Sequence, residues 1–125
     1  MQTLVDFQGI SNKDLSMLLL ALKTAKTSDE RFKVGAVAVS GGRVIGVACN
    51  KGRNHPTVLE DKDIKSQAGI CAERRLLAIL GSKAKGAIVY VARARKDGSF
   101  GLSEPCSRCK KALNDADIKK VVYSS

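Results

Sequence analysis

Two valine-rich segments joined by Gly41 and Gly42 restrict the fold more than any other feature. They are "KVGAVAVS" (33–40) and "RVIGVACN" (43–50). A Gly-Gly pair between two β-rich segments is typical of a two-residue hairpin, because the turns that suit the strand twist need positive φ values. The sequence therefore predicts an antiparallel hairpin at this point.

Helices and strands are predicted to alternate through the rest of the chain. A first helix with leucines at helical spacing precedes the hairpin, and Pro105 is compatible with the start of the last helix. The predicted ranges are helix 11–27, helix 70–80 ending at Gly81, strand 86–93, helix 106–116 and strand 119–125. The order α-β-β-α-β-α-β predicts one α/β domain over residues 1–125, with parallel strands and right-handed crossovers in its βαβαβ half.

Charge and hydropathy restrict the classes of partner. The 125 residues carry 22 basic and 12 acidic side chains, a net charge of +10, which favours an anionic partner such as a nucleotide phosphate or a nucleic-acid backbone. Aromatic residues make up only 4%, which argues against a broad stacking surface for single strands. No apolar run approaches the roughly 20 residues that span a bilayer. We expect a cytoplasmic protein with no membrane partner.

The four cysteines suggest a metal site rather than disulfides, since a structural disulfide is disfavoured in a cytosolic chain. Cys106 and Cys109 are three residues apart in the first turn of a helix, and Cys71 begins another helix. Helix starts favour thiolates, and in a βαβαβ unit both starts lie near the carboxyl ends of adjacent strands. Three converging thiolates and a water would form a catalytic Zn²⁺ site, whereas a fourth ligand from Cys49 or His55 would form a closed structural one.

Glu73 and Arg74 directly follow this first ligand. A carboxylate beside the metal, but not bound to it, can move protons between water and a nucleobase. A guanidinium can offset the excess charge of three thiolates. The alternatives are that Glu73 is a first-turn acid favoured by the helix dipole and that Arg74 is a solvated surface residue.

"CAER" (71–74) and "PCSRC" (105–109) resemble the motifs of the zinc-dependent cytidine and deoxycytidylate deaminase superfamily. The stretches "ALKTAKTSDERFKVGAVAVSGGRVIGVACN" and "ADIKKVVYSS" are similar to its first helix, hairpin and fourth strand. The resemblance implies a cytidine deaminase-like three-layer fold. That fold has a central mixed sheet of four to five strands with helices on both faces.

The resemblance also implies a role for each residue of the two motifs. The zinc ligands would be Cys71, Cys106 and Cys109, and Glu73 would be the catalytic proton shuttle. In the same way, the backbone of Ala72 would bond the pyrimidine amino group, and Arg74 would bond the thiolates.

Other matching positions concern the substrate. Phe32 matches an aromatic residue that packs beside the base or sugar, or it is a core residue. Asn50 matches an asparagine that bonds a sugar hydroxyl, or it only ends a strand. Nucleoside deaminases usually carry a glutamate two residues later, and here Gly52 stands between two basic residues. We therefore consider Lys51, Arg53 and Arg108 as candidates for phosphate contact, with solvated surface charge as the alternative.

The expected activity is hydrolytic deamination of a cytosine nucleotide or nucleoside (dCMP, CMP, cytidine or deoxycytidine) to the uracil form, with release of ammonia. One alternative is a cytosine or adenine deaminase acting on single-stranded DNA or tRNA, and another is a non-catalytic zinc-binding module. Because the sequence ends after the fourth predicted strand, we expect neighbouring subunits to close the pocket in a homo-oligomer of two, four or six copies. The role of His55 and of the 51–69 loop is open.

Overall fold

A mixed β-sheet with helices on both faces forms the structure. The computed structural model describes residues 3–6, 12–28, 33–50, 71–103, 105 and 107–124. The elements in chain order are β1 (Thr3–Asp6), α1 (Asn12–Ala25), β2 (Lys33–Ser40), β3 (Arg43–Cys49), α2 (Ala72–Leu80), β4 (Ile88–Ala94), β5 (Phe100–Gly101), α3 (Ser107–Asp115) and β6 (Lys120–Tyr123). The predicted three-layer α/β fold is confirmed.

The strand order of the sheet is β1-β6-β4-β2-β3, and the two-residue β5 pairs with the end of β4. β2 is antiparallel to both β3 and β4, while β4, β6 and β1 are mutually parallel. The hairpin forms at the predicted turn, where Gly41 and Gly42 have φ values of 59° and 78°. Within the described residues, no helix has the length and apolar character that crossing a membrane requires.

Three features depart from the predicted element order. No strand is predicted for residues 3–6, but β1 pairs with β6 from Thr3 beside Lys120 to Asp6 beside Tyr123. Residues 96–104 are expected to form a loop, but they contain β5, whose backbone pairs with Arg93 and Ala94 of β4. The chain also does not leave helical structure at Gly81, since a 3₁₀ turn continues to Ala84.

The two faces of the sheet carry separate cores. Alternate strand residues point to opposite faces, so Val37, Tyr90 and Val122 pack with α1. Ala36, Val89 and their neighbours pack with α2 and α3. Each core is therefore anchored by a different set of helices.

Two contacts fix α1 on its face. The Tyr90 hydroxyl donates a hydrogen bond to Asp14 at 2.5 Å, and Lys120 lies 3.5 Å from the same carboxylate. Burial, together with the neighbouring Asp14 charge, raises the pKa of Tyr90. At the other end, a Cβ on Gly35 would lie 2.1 Å from the Ala21 carbonyl oxygen, so only glycine permits this approach.

The strand directions place the ends of three strands and the starts of two helices at one edge of the sheet. β3 is antiparallel to β2, as β4 is, so β3, β4 and β6 all run in the same direction. α2 and α3 begin at the edge where these strands end, and they return to the opposite edge. Ligand sites of open α/β sheets lie at such an edge.

Candidate active site

Cys71 occupies the N-cap position of α2. Its φ and ψ of −64° and 143° are extended, and its side chain makes no capping hydrogen bond. The Cys71 carbonyl accepts the first helical bond from the Arg75 amide at 3.0 Å. The Cys71 backbone thus starts the helix at the edge of the sheet where β3, β4 and β6 end. The residue is half-buried there.

Glu73 is an acid enclosed by protein in the first turn of α2, with only 5% of its surface exposed. Desolvation raises the pKa of its carboxyl group. A bond from its own backbone and another from the Cys109 side chain oppose this effect by favouring the charged form. A buried carboxyl group of this kind can hold or release a proton out of contact with bulk water.

Cys109 provides the link between the two helix starts. It lies in the first turn of α3, is 1% exposed, and its thiol donates a hydrogen bond to Glu73. α2 and α3 also pack against each other. The structure therefore brings together one predicted metal ligand and the predicted proton shuttle from segments 36 residues apart.

The donor set fits a zinc ion as far as it is described. Cys49, Cys71 and Cys109 form no disulfide within the described residues, and thiolates are preferred zinc ligands. The described residues form no cluster of three or more metal-ligating side chains, but Cys106, the third predicted ligand, is not among them.

Cys49 lies on the other face of the sheet. It pairs with Gly35, which faces α1, and its sulfur accepts a hydrogen bond from Thr27 at 3.5 Å. Since α2 and α3 cover the opposite face, Cys49 is not oriented toward Cys109. Cys49 is buried, and its position gives no support to Cys49 as a fourth zinc ligand.

Asn50 is held firmly at the end of β3. Its side-chain oxygen accepts a hydrogen bond from the Val34 amide at 2.9 Å, and its carbonyl accepts one from the Ser28 hydroxyl at 2.8 Å. The predicted sugar-binding residue is thus also part of the framework. A contact to a sugar oxygen would come from its amide N–H groups.

Arg75 joins this strand end to α2 and was missed by the sequence analysis. Its Nη1 donates to the Cys49 carbonyl at 2.6 Å, across 26 residues of chain. Its Nε is buried and has no hydrogen-bond partner within the part of the chain that the structure describes. The only sequence signal was a second arginine directly after "CAER", which by itself resembles ordinary surface charge.

The remaining predicted site residues differ in how far they can be placed. Ala72 is fully buried, Arg74 is half-buried in the same turn of α2, and Arg108 is exposed on α3. The others lie outside the described residues, and they are Phe32, Lys51, Arg53, His55 and Cys106.

Comparisons with known proteins identify the family of this chain. Residues 11–125 match the family described as "Cytidine and deoxycytidylate deaminase zinc-binding region". The chain is 33% identical over 109 residues to a tRNA-specific adenosine deaminase of Agrobacterium fabrum (strain C58). The aligned region covers 85% of this chain and 61% of the relative. The chain thus spans about three fifths of that relative's length.

Solved structures show the same fold. The dCMP deaminase of cyanophage S-TIM5, in complex with dCMP and dUMP, superposes with a TM-score of 0.68 at 20% identity, over 93% of this chain and 85% of that one. RibD of Acinetobacter baumannii gives a TM-score of 0.61 at 27% identity, over 89% of this chain and 27% of that one. The family match extends over nearly all of the sequence and includes both cysteine motifs. The chain therefore belongs to the cytidine and deoxycytidylate deaminase family.

Proposed function

We propose that this chain is a zinc-dependent hydrolytic deaminase that converts a cytosine nucleotide or nucleoside to its uracil form with release of ammonia. The observation that carries the proposal is the buried Glu73 carboxyl group in contact with the Cys109 thiol, where α2 and α3 begin. Membership of the deaminase family supports deamination as the reaction, and the cytosine substrate is part of the proposal.

Cys71 and Cys109, with Cys106, would hold the zinc ion. When bound, zinc supplies a Lewis acid that lowers the pKa of a coordinated water to about 7. Arg74, in the same turn as Cys71, would stabilise the negative charge of the three thiolates.

Glu73 would carry the protons of the reaction. Hydrolytic deamination needs one group that accepts a proton from water and delivers it to a ring nitrogen and then to the leaving amine. Burial raises the pKa of Glu73, so it keeps a proton more readily than an exposed glutamate does. Its enclosure among α2 and α3 also excludes bulk water, which would otherwise compete for that proton.

Substrate orientation would depend on the end of β3 and the start of α2. Asn50 would contact the sugar, the Ala72 backbone the amino group of the base, and Phe32 the base or sugar. Lys51, Arg53 and the exposed Arg108 are the proposed phosphate contacts. Cys71 as first ligand favours the free nucleoside branch of the family, while the basic residues around Gly52 favour a phosphorylated substrate.

A second candidate is a deaminase of cytosine or adenine in single-stranded nucleic acid. The 33% identity to a tRNA-specific adenosine deaminase and the net charge of +10 favour it. Both candidates use the same proposed metal ligands and proton shuttle, and they differ in the substrate that binds beside them.

A substrate panel separates them. Purified protein with measured zinc content is incubated with cytidine, deoxycytidine, their mono- and triphosphates, a cytosine-bearing oligonucleotide and an adenosine-bearing tRNA. We expect turnover of a cytosine monomer. Turnover of only the oligonucleotide or the tRNA would establish the second candidate instead, and bound zinc without any turnover would establish a non-catalytic zinc-binding module.

We also propose that the active form is a homo-oligomer, because small members of this family complete their pockets with neighbouring subunits. Light scattering after gel filtration should give a mass of two, four or six times 13.3 kDa. A monomer with full activity would contradict this proposal.

A further inference from the structure

We propose that Ser103 and Ser124 are positioning residues for the metal centre. This buried hydroxyl pair fixes the segment that leads into α3 and thereby presets the position of Cys109. The proposal rests on the proposed zinc-dependent function, and neither residue belongs to the two cysteine motifs (71–74 and 105–109).

The two serines are enclosed where three segments of chain meet. Ser103 is 7% exposed and Ser124 is 0% exposed. Their hydroxyl oxygens lie 2.9 Å apart, between the segment after β5 and the end of β6. The Ser103 amide also donates to the Ser124 carbonyl at 2.9 Å.

Both hydroxyl protons have backbone acceptors. The Ser124 hydroxyl donates to the Gly101 carbonyl at 2.6 Å, and the Ser103 hydroxyl lies 2.8 Å from the Val91 carbonyl. Each hydroxyl oxygen also accepts a hydrogen bond from a backbone amide. The Ser124 amide donates to the Ser103 hydroxyl oxygen at 2.9 Å, and the Arg93 amide donates to the Ser124 hydroxyl oxygen at 3.2 Å. The pair thus extends the ladder of β4 and β6 beyond the last regular residue of β6.

This extension matters because residues 102, 103 and 105, the described residues between β5 and α3, lie in no helix or strand. Among these described residues, Ser103 is the one whose side chain forms a hydrogen bond to a strand of the sheet. It stands two residues before Pro105 and six before Cys109. A shift of Ser103 would pass through this short connection to the start of α3, where Cys109 contacts Glu73.

Zinc ligands must keep their distances within about 0.2 Å, so a small displacement of α3 is enough to weaken binding. A purely structural hydroxyl pair would contribute only to global stability. Zinc binding and global stability can be measured separately. Tyr90→Phe is the matched control. It removes another buried hydroxyl from β4, but the bond it removes goes to Asp14 on the α1 face.

The experiment measures zinc release from folded protein to a chromogenic chelator for wild type, Ser103→Ala, Ser124→Ala and Tyr90→Phe, together with thermal unfolding of each. We expect both serine variants to release zinc about tenfold faster than wild type, toward the low end of the range for residues that support metal ligands. Tyr90→Phe should lose thermal stability but release zinc at the wild-type rate. Serine variants that release zinc at the wild-type rate would overturn the inference.

A measurement on wild type decides the matter if the alanine variants do not fold. If the network positions a ligand, zinc must in turn stabilise the network, because the coupling is reciprocal. Zinc should therefore slow amide hydrogen exchange at Ser103 and Ser124 by a larger factor than at Val37 and Tyr90 on the α1 face. Equal slowing at both places would refute the inference. Wild type that binds no zinc would instead refute the proposed function.

Discussion

At the scale of single residues, the candidate site contains one carboxyl group, that of Glu73, which burial keeps out of water. Glu73 and Cys109 come from different helices and meet because α2 and α3 both begin at the same edge of the sheet. Motif spacing predicted that these segments would converge, since the type and spacing of the residues are visible in the sequence. The roles of Arg75, Ser103 and Ser124 were not visible, because they arise from bonds to distant backbone carbonyls that leave no periodic pattern.

Glu73→Gln should strongly reduce turnover but preserve the zinc site. The amide has nearly the same shape but cannot carry the proton, so we expect the rate to fall by about 10²–10⁴-fold, the usual contribution of such a group. Activity on the best substrate of the panel and zinc content measure the two effects. Cys71→Ala is the comparison, since it should lose both zinc and activity. Retained turnover in Glu73→Gln would disprove the proton-shuttle role.

Arg75→Gln should weaken substrate binding more than chemistry. Without the guanidinium, the Cys49 carbonyl loses its partner at the end of β3, which costs about 1–3 kcal/mol when the group stays buried. Since Asn50 follows directly, we expect KM to rise with a smaller change in kcat. Arg43→Gln is the control for loss of charge alone, since Arg43 is exposed at the other end of β3. Equal effects from both variants would show that the charge of Arg75, and not its bond, is what matters.

At the scale of the elements, the close approach of α1 to β2 is the most sensitive packing contact. A methyl group on Gly35 would collide with the backbone of Ala21 and Ala25, which no side-chain rotation can relieve. Gly35→Ala should therefore lower the free energy of unfolding by about 1–3 kcal/mol, the typical effect of overpacking. Gly46→Ala is the matched control.

Chemical denaturation of the two variants checks this expectation. In Gly46→Ala the added methyl group would lie 2.9 Å from Leu80 Cδ2, which is the end of a flexible side chain. It should therefore cost less than Gly35→Ala does. A larger loss of unfolding free energy in Gly46→Ala than in Gly35→Ala would mean that α1 can move away from β2 with little loss of stability.

The helices and longer strands were predicted from the sequence within a few residues, because periodicity and turn residues define them locally. β1 and β5 were not, because their four and two residues lack any such pattern. β1 is a strand because β6 lies beside it, and β5 because β4 does. Short strands of this kind depend on partners that a local reading of the sequence cannot supply.

At the scale of the whole molecule, β1 protects the edge of β6. The two strands are parallel, and β1 is the last strand on this side of the sheet. Edge strands with unpaired backbone groups promote association between chains. Loss of β1 pairing should therefore affect solubility as well as stability.

Proline substitutions at Leu4 and Val5 test this role of β1. In an edge strand, the N–H groups of adjacent residues point alternately to the neighbouring strand and away from it. One of the two prolines should thus break a bond to β6, lower the melting temperature and increase aggregation, while the other serves as its control. Similar melting temperatures and light scattering for both variants would show that β1 contributes little.

The pairing of β1 with β6 also has a consequence for how the protein forms during synthesis. Thr3 pairs with Lys120 and Asp6 with Tyr123, so the first strand emerges from the ribosome long before its partner exists. The hairpin of β2 and β3 can close while translation continues, because its residues are neighbours in the chain. β1 has to wait until β6 has been synthesised, so the two strands join only after the hairpin can close, and the backbone groups of β1 lack their sheet partner until then.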